Sequence, residues 1–412
     1  MLKCGDTGIK KVQEKMMENR FQAFLLKYAE IGVKGKNRYV FEEALEKQVR
    51  IHLRRTDAEF EVRRINGRIY CEAKSEYDYD RVISELKKIF GVVGICPVNH
   101  VPDKSIDGIK AAAVKFVGEN YEDRNFTFKV DTRRANKAYP KTSMEVDADV
   151  GEALLDAYPE MKVDVHNPEV LIHIELREQI FLYSKIIKGA GGLPLGTNGR
   201  ALLLLSGGFD SPVAGYMVSR RGVYLDAVYF NAPPYTSDRA KQKVIDLARV
   251  LSSYTGSIKL HIINFTEIQM AIYERCPHDE LTIIMRRYMM RIAEAIANNS
   301  KECLGLITGE SIGQVASQTL RSLFTTDDAV SIPVYRPLIG FDKQDIIDKA
   351  EEIGTADISV LPFEDCCTIF VAKHPVTKPR LNVIKASEEK LADISEELIN
   401  KALASDETMD LW

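Results

Sequence analysis

The sequence predicts two architectures in series, an α+β amino-terminal half and an α/β domain built on a parallel sheet. Three observations carry this. From about residue 200, apolar strand-like runs alternate with helical patterns, the order that builds a helix-covered parallel sheet. Residues 189–200 (GAGGLPLGTNGR) hold five glycines and a proline, which is loop composition. Directly after them, the apolar run Ala201–Leu205 stops at Ser206-Gly207-Gly208-Phe209-Asp210-Ser211, and an apolar helical pattern, Pro212–Val218, follows.

Taken in order, residues 21–28 read as a strand, 38–55 as a helix and 59–73 as strands. Helices are expected over 81–89 and 106–119, a strand over 126–131 and a helix over 146–156. Residues 171–176 and 179–187 read as a hairpin over Arg177-Glu178. The first half therefore divides into two small units meeting near 73–80. In the second half, buried strands are expected at 224–231, 259–265 and 303–308, with helices at 237–251, 281–297 and 342–353. An amphipathic helix over 387–404 is expected to close the chain.

The 412 residues suffice for two or three domains. Apolar content of 45%, charged content of 28% and a net charge of −4 describe an ordinary globular protein without a global nucleic-acid signature, so any such surface must be local. No apolar run approaches the ~18 residues of a membrane span. The first twenty residues carry five cations and no apolar core, so no secretory signal is expected. Seven cysteines, an odd number, suit a reducing compartment. The expectation is a cytoplasmic protein without membrane attachment.

A glycine turn between a strand and a helix points backbone N–H groups and a helix N-terminus at an anion. Gly207 and Gly208 let phosphate approach the main chain, Ser206 and Ser211 add hydroxyls, and Asp210 can hold Mg²⁺ beside phosphates. No Walker A pattern is present. The turn resembles the PP-loop of ATP pyrophosphatases, enzymes that split ATP between its α and β phosphates and transfer AMP.

Three further segments resemble one family, the tRNA 4-thiouridine synthetases (ThiI family; tRNA sulfurtransferases). These are Tyr28–Arg38 (YAEIGVKGKNR), the stretch from about Glu61 to Lys188, which resembles a THUMP domain and includes Arg133-Arg134 and Tyr139–Ser143, and Gly309–Thr319 (GESIGQVASQT). The resemblance implies an extension at 1–20, a ferredoxin-like domain at 21–75 and a THUMP domain at 76–188. A linker at 189–200 and an adenine-nucleotide-hydrolase-like PP-loop domain with a C-terminal helix at 201–412 follow. It implies adenylation of a uridine C4 oxygen, typically at tRNA position 8, with release of pyrophosphate. Displacement of AMP by persulfide sulfur then leaves 4-thiouridine. It also implies a second role, supplying sulfur for thiamine thiazole synthesis.

By the same resemblance, Asp210 and Lys343 are catalytic, and Ser206, Gly207, Gly208 and Ser211 cradle pyrophosphate. Leu204, Leu205, Tyr229, Phe230, Arg286, Gly309 and Gln318 fall at nucleotide-binding positions. On residue type alone the leucines and aromatics read as core strand, Arg286 as a solvated helix face and Lys343 as a surface lysine, although a cation at a helix start opposes the dipole. Cys366 and Cys367 lie where the family carries its sulfur-handling cysteine; without the resemblance the pair reads as inert buried thiols. Position 279 is aspartate where some relatives carry a cluster cysteine after Cys276, so no Fe–S cluster is expected.

Residues 124–141 hold six cations (Arg124, Lys129, Arg133, Arg134, Lys137, Lys141) against Asp131, with Phe126, Phe128 and Tyr139 interspersed. That pattern suits either a solvated face or a phosphate-binding stripe; the THUMP resemblance favours tRNA, with Lys34, Lys36 and Arg38 extending the surface. Many relatives end in a rhodanese domain. Here 45 residues follow Cys367, too few for such a domain, so sulfur is expected in trans from a pyridoxal-phosphate cysteine desulfurase. A homodimer is expected. Two other readings remain: a PP-loop RNA-modifying enzyme or amidoligase using a nitrogen nucleophile, or a non-catalytic tRNA-binding or sulfur-carrier protein.

Overall fold

The computed structural model describes residues 21–412 apart from Asn66, Lys301 and residues 364–373. Cys366, Cys367 and the expected extension 1–20 therefore lie outside the described residues. The chain divides into two compact units between Gly191 and Gly192.

The first unit opens with β1 (Ala23–Lys27), α1 (Arg38–Arg54), β2 (Phe60–Ile65), β3 (Arg68–Ala73), α2 (Tyr79–Lys87) and β4 (Gly94–Val101). β1 lies between β3 and β4, antiparallel to both, which is the ferredoxin-like βαββαβ arrangement. There follow α3 (Ile106–Asn120), β5 (Thr127–Arg134), α4 (Ser143–Ala157), β6 (Lys162–Val163), β7 (Val170–Leu176), β8 (Ile180–Tyr183) and β9 (Ile187–Lys188). All nine strands form one sheet, ordered β2-β3-β1-β4-β8-β7-β5-β6, with β9 also on β4. β4 joins its two parts, pairing with β1 through Gly94–Val98 and with β8 through Asn99–Val101. Pro97 hides this strand in the sequence, because proline donates no ladder hydrogen bond. α3 and α4 bury Ile109, Phe116, Val146 and Leu154 against Phe128, Val130 and Ile172 of the sheet. Thr142 and Glu145 close a reciprocal capping box at the start of α4, so the Thr142-Ser143 end of one motif starts a helix.

The second unit runs β10 (Arg200–Leu204), α5 (Asp210–Ser219), β11 (Tyr224–Asn231), α6 (Asp238–Thr255), β12 (Ile258–Asn264), α7 (Thr266–Arg275), α8 (Leu281–Asn298) and β13 (Cys303–Ile307). It continues with α9 (Leu320–Asp327), β14 (Val334–Tyr335), α10 (Lys343–Ile353), α11 (Ala356–Ser359), α12 (Leu381–Glu388), α13 (Ser395–Ala404) and β15 (Glu407–Leu411). Strand order is β14-β13-β10-β11-β12-β15. The first five are parallel, as the alternation predicts. α8 buries Ile284, Tyr288, Ile292 and Ile296 with Leu202, Val228, Ile263 and Leu306 from the strands. At ~1.5–3 kcal/mol per large side chain buried, this helix and the sheet behind it form the main support of the site described next.

One expectation is corrected. Residues 387–404 are not one helix closing the chain: α12 ends at Glu388, a 3₁₀ turn covers Glu389–Leu391, and α13 begins at Ser395. Arg275 of α7 donates to the Lys390 carbonyl and, at 2.7 Å, to the Asp393 carboxylate, which pins the break. Ile384, Leu391 and Leu398 nevertheless reach the same core, so a seven-residue apolar spacing reads as unbroken helix. β15 then pairs antiparallel with β12 and makes the sheet mixed at that edge. Its Glu-Thr-Met-Asp-Leu sequence lacks the apolar run of a buried strand because it is an edge strand. Among the described residues, no helix is long and apolar enough to cross a membrane.

Candidate functional site

β10 delivers the chain to the carboxyl edge of the sheet, where ligands bind in open α/β folds. The Ser206 N–H donates to Ser211 Oγ at 2.9 Å, and the two hydroxyls lie 3.1 Å apart. The turn is thus folded onto the first turn of α5, with Asp210 as that helix's first residue. Ser359 Oγ, from α11, donates to the Gly208 carbonyl at 3.3 Å.

Asp210 is held from two sides. Lys343 Nζ, at the start of α10, donates to Oδ1 at 2.8 Å, and Gln314 Nε2 donates to Oδ2 at 3.0 Å. The Asp210 and Lys343 side chains are 22% and 44% exposed, so both are open to solvent. A residue of α5, one of α10 and one of the 309–319 loop therefore converge, although 133 residues separate the first two.

Beside this carboxylate opens a cavity of about 300 Å³. Leu204, Leu205, Tyr229 and Phe230 line it from the ends of β10 and β11; Ser206, Asp210 and Ser211 from the turn; Arg286 from α8; and Gly309 and Gln318 from the loop after β13. These ten sequence-selected residues meet there. Gly207 and Gly208 sit in the adjoining turn, and Lys343 reaches Asp210 from outside the lining. A larger cavity, about 450 Å³, lies at the opposite edge of the sheet, where Arg200 is already paired with Asp226 at 2.6 Å. The smaller cavity holds the glycine turn and the helix N-terminus and is the candidate site.

Gly309 shows why the loop needs glycine: a Cβ there would lie 2.7 Å from both the Asp210 carbonyl carbon and the Ser211 nitrogen. Gly309→Ala is expected to push the loop off α5 and to cost about 1–3 kcal/mol through overpacking. Loss of ATP binding together with a lowered melting temperature would bear this out; an unchanged ATP affinity would refute it.

Sequence reading missed Glu310. It is 3% exposed and accepts from Thr308 Oγ1 at 2.9 Å, and it pairs with both Arg286 and Arg336. Arg336 also holds Asp327. Arg286, read as a solvated face from residue type alone, is thereby fixed at the cavity wall, where it also reaches the Ser317 hydroxyl at 3.3 Å. The signal was present, since Glu310 stands inside the quoted 309–319 motif. Glu310→Ala removes the buried carboxylate that Arg286 and Arg336 share, leaving Arg336 with Asp327 and Arg286 with Ser317, and is expected to destabilise by about 3 kcal/mol. A thermal melt should show a fall of roughly 6–12 °C.

The basic residues of the first unit are not one free stripe. Arg124 stacks on Tyr158 and donates to the Gly118 carbonyl. Arg134 donates to the Lys141 carbonyl at 2.7 Å, Lys141 pairs with Asp149 at 2.6 Å, and Lys129 reaches the Val165 carbonyl. Arg38 is tied to Tyr28 and Glu42, and Lys34 lies over the Phe41 ring. Arg133, which lies 3.6 Å from the Asp131 carboxylate, Lys137 and Lys36 are exposed. Cys276 is a packed thiol: it donates to the Ser387 carbonyl, and burial above all pushes it up to about 11.

The chain matches the family model "ThiI ferredoxin-like domain" over residues 23–96, "THUMP domain" over 103–185 and "Thiamine biosynthesis protein (ThiI)" over 196–392. A curated protein of Agathobacter rectalis described as "Probable tRNA sulfurtransferase" is 59% identical over 389 residues, covering 94% of this chain and 98% of that one. One of Lachnospira eligens with the same description is 58% identical over 388 residues, covering 94% and 98%. Among solved structures, a 4-thiouridine synthetase in complex with RNA and bound ATP superposes with a TM-score of 0.85 at 36% identity, covering 95% of this chain and all of that one. PH1313 from Pyrococcus horikoshii gives 0.61 at 26% identity, covering 81% and 99%. Full-length identity, domain order and the glycine-turn site agree: the chain belongs to the ThiI family of tRNA sulfurtransferases.

Proposed function

We propose that this protein thiolates a uridine of tRNA in two steps. The uridine C4 oxygen attacks the α-phosphorus of ATP and pyrophosphate leaves; the outer sulfur of a cysteine persulfide then attacks C4 and AMP leaves. A second thiol attacks the cysteine sulfur of the C4–S–S–Cys adduct, so that the S–S bond breaks, the sulfur stays on C4 and the two cysteines are left as a disulfide for an external thiol to reduce. An amide-like oxygen is a poor leaving group and AMP a good one, which is the reason for the first step. The observation that carries the reading is the Lys343–Asp210–Gln314 junction beside a cavity walled by Leu204, Tyr229 and Arg286.

ATP fits with its adenine against the ends of β10 and β11 and its phosphates at Ser206–Ser211. Lys343 neutralises charge that develops on the phosphates. Each Asp210 oxygen keeps a lone pair beyond its hydrogen bond, so this carboxylate fits a Mg²⁺ ion, which supplies further charge neutralisation when bound with ATP. One of Cys366 and Cys367 carries the persulfide or attacks it to release sulfur. A cysteine desulfurase supplies the sulfur in trans, the cytoplasm is the compartment, and the working state is a homodimer. Supply of sulfur for thiazole synthesis is a second role. The ferredoxin-like domain is taken to extend to Val101, because α2 and β4 complete its βαββαβ order.

The test is pyrophosphate release on adding tRNA, followed by an organomercury gel for thiolated product. Neither activity would overturn the reading, and pyrophosphate without thiolation would point to another nucleophile. For tRNA contact in the first unit, Arg133 and Lys137 are the residues to change, since Arg134 supports the backbone near Lys141. Arg133→Glu with Lys137→Glu is expected to weaken tRNA binding roughly tenfold or more at ~0.1 M salt and to flatten the salt dependence by about two ions. A filter-binding salt titration that matches the unmodified protein would refute the location.

A further inference from the structure

We propose that the exposed face of α9 is a platform for the unstacked RNA flanking the target uridine; this rests on the function proposed above. α9 begins two residues after Gln318, and both Gln318 and Thr326 of α9 line the cavity. Its inner face buries Ser322, Leu323, Thr325 and Thr326. Its outer face leaves Leu320 67% and Phe324 65% exposed. Four residues apart, these two share one side of the helix, and Arg321, three before Phe324, lies beside them. Val315, one turn before Gln318, is also exposed.

The surroundings of this face are cationic. Arg321, Lys378 and Arg380 are exposed and none is held in an ion pair among the described residues. Lys378 is brought close because its neighbour Thr377 accepts from Thr319 Oγ1, at the cap of α9, at 2.7 Å. The acids at the end of α9 are neutralised, Asp327 by Arg336 and Asp328 by Arg287 and Lys385.

A base whose C4 oxygen must meet phosphorus inside a cavity has to leave its stack. Its neighbours then expose π-faces and a bent phosphate backbone. An aromatic ring with an aliphatic neighbour, flanked by exposed cations, is the surface that takes up such a segment without reading its sequence. Charge complementarity and continuity with the cavity favour RNA over a protein occupant.

The test uses the full chain and a tRNA transcript carrying 2-aminopurine next to the target uridine. Unmodified protein is expected to change the 2-aminopurine fluorescence on binding. Phe324→Ala should abolish that change and raise the tRNA KM for pyrophosphate release roughly 5- to 100-fold, with ATP affinity measured without tRNA unchanged. Phe324→Trp should restore both. Arg321→Glu, a change at an exposed position, should weaken tRNA binding and lower its salt slope by about one. Unaltered fluorescence and KM in both Phe324→Ala and Arg321→Glu would overturn the proposal. So would a defect seen only with a protein sulfur donor and not with inorganic sulfide, which would assign the face to that donor. If unmodified protein gives the fluorescence change but releases no pyrophosphate, the proposed reaction fails while the RNA platform stands.

Discussion

Asp210→Asn is expected to lower tRNA-dependent pyrophosphate release by about 10²–10³-fold, the size of effect seen when one preorganised charge is removed from a reacting centre. The fold should survive. Asp210 and Lys343 form a solvent-open pair at 2.8 Å, and such pairs contribute about 0–1 kcal/mol to stability. Melting temperature should therefore shift by no more than a few degrees. Lys343→Ala should give a loss of similar size, and the double variant should be little worse than either single one, because the two groups act as a unit. Single-turnover pyrophosphate release reads this directly. Rates within tenfold of the unmodified protein for Asp210→Asn would remove this carboxylate from the chemistry.

Cys366→Ser combined with Cys367→Ser is expected to abolish thiolation while leaving pyrophosphate release intact. Described residues on both sides of the pair are anchored within the second unit, and Ser359, seven residues before Cys366, donates from Oγ to the Gly208 carbonyl of the turn at 3.3 Å. The Leu361 carbonyl accepts from Lys243 at 2.7 Å, and Arg239 lies over the Phe363 ring. Beyond the pair, the Val376 N–H donates to the Asp279 carbonyl at 2.9 Å. The two single variants separate the roles of adjacent thiols that sequence alone leaves interchangeable. Full thiolation by the double variant, scored on an organomercury gel, would exclude both cysteines as the sulfur-handling groups.

The site was legible in the sequence to an unequal degree. The glycine turn was readable because strand, Gly207-Gly208 and helix are contiguous, so local geometry is written locally. Leu204, Leu205, Tyr229 and Phe230 read as core strand on residue type and were singled out only by the family resemblance; the parallel strands then bring them together at the cavity. Glu310 was legible only as a member of the 309–319 motif; its pairing with Arg286 and Arg336, 24 and 26 residues away, exists only in the folded chain. The basic run at 124–141 was legible as a charge count but not in its contacts. Folding gives Arg124 and Arg134 backbone carbonyls and Lys141 the Asp149 carboxylate as partners, none of which the charge count shows.

The sequence by itself determined the architecture, an α+β half and a parallel-sheet half, along with the glycine turn between β10 and α5. Hydrophobic periodicity and glycine chemistry act over a few residues and leave a local record. Tertiary structure alone decided which charges are free and which are bound, that Lys343 and Gln314 share Asp210, that the last helix breaks at Arg275's contact with Asp393, and that an edge strand closes the sheet. Those outcomes depend on distance and burial between remote segments, quantities that no local pattern encodes.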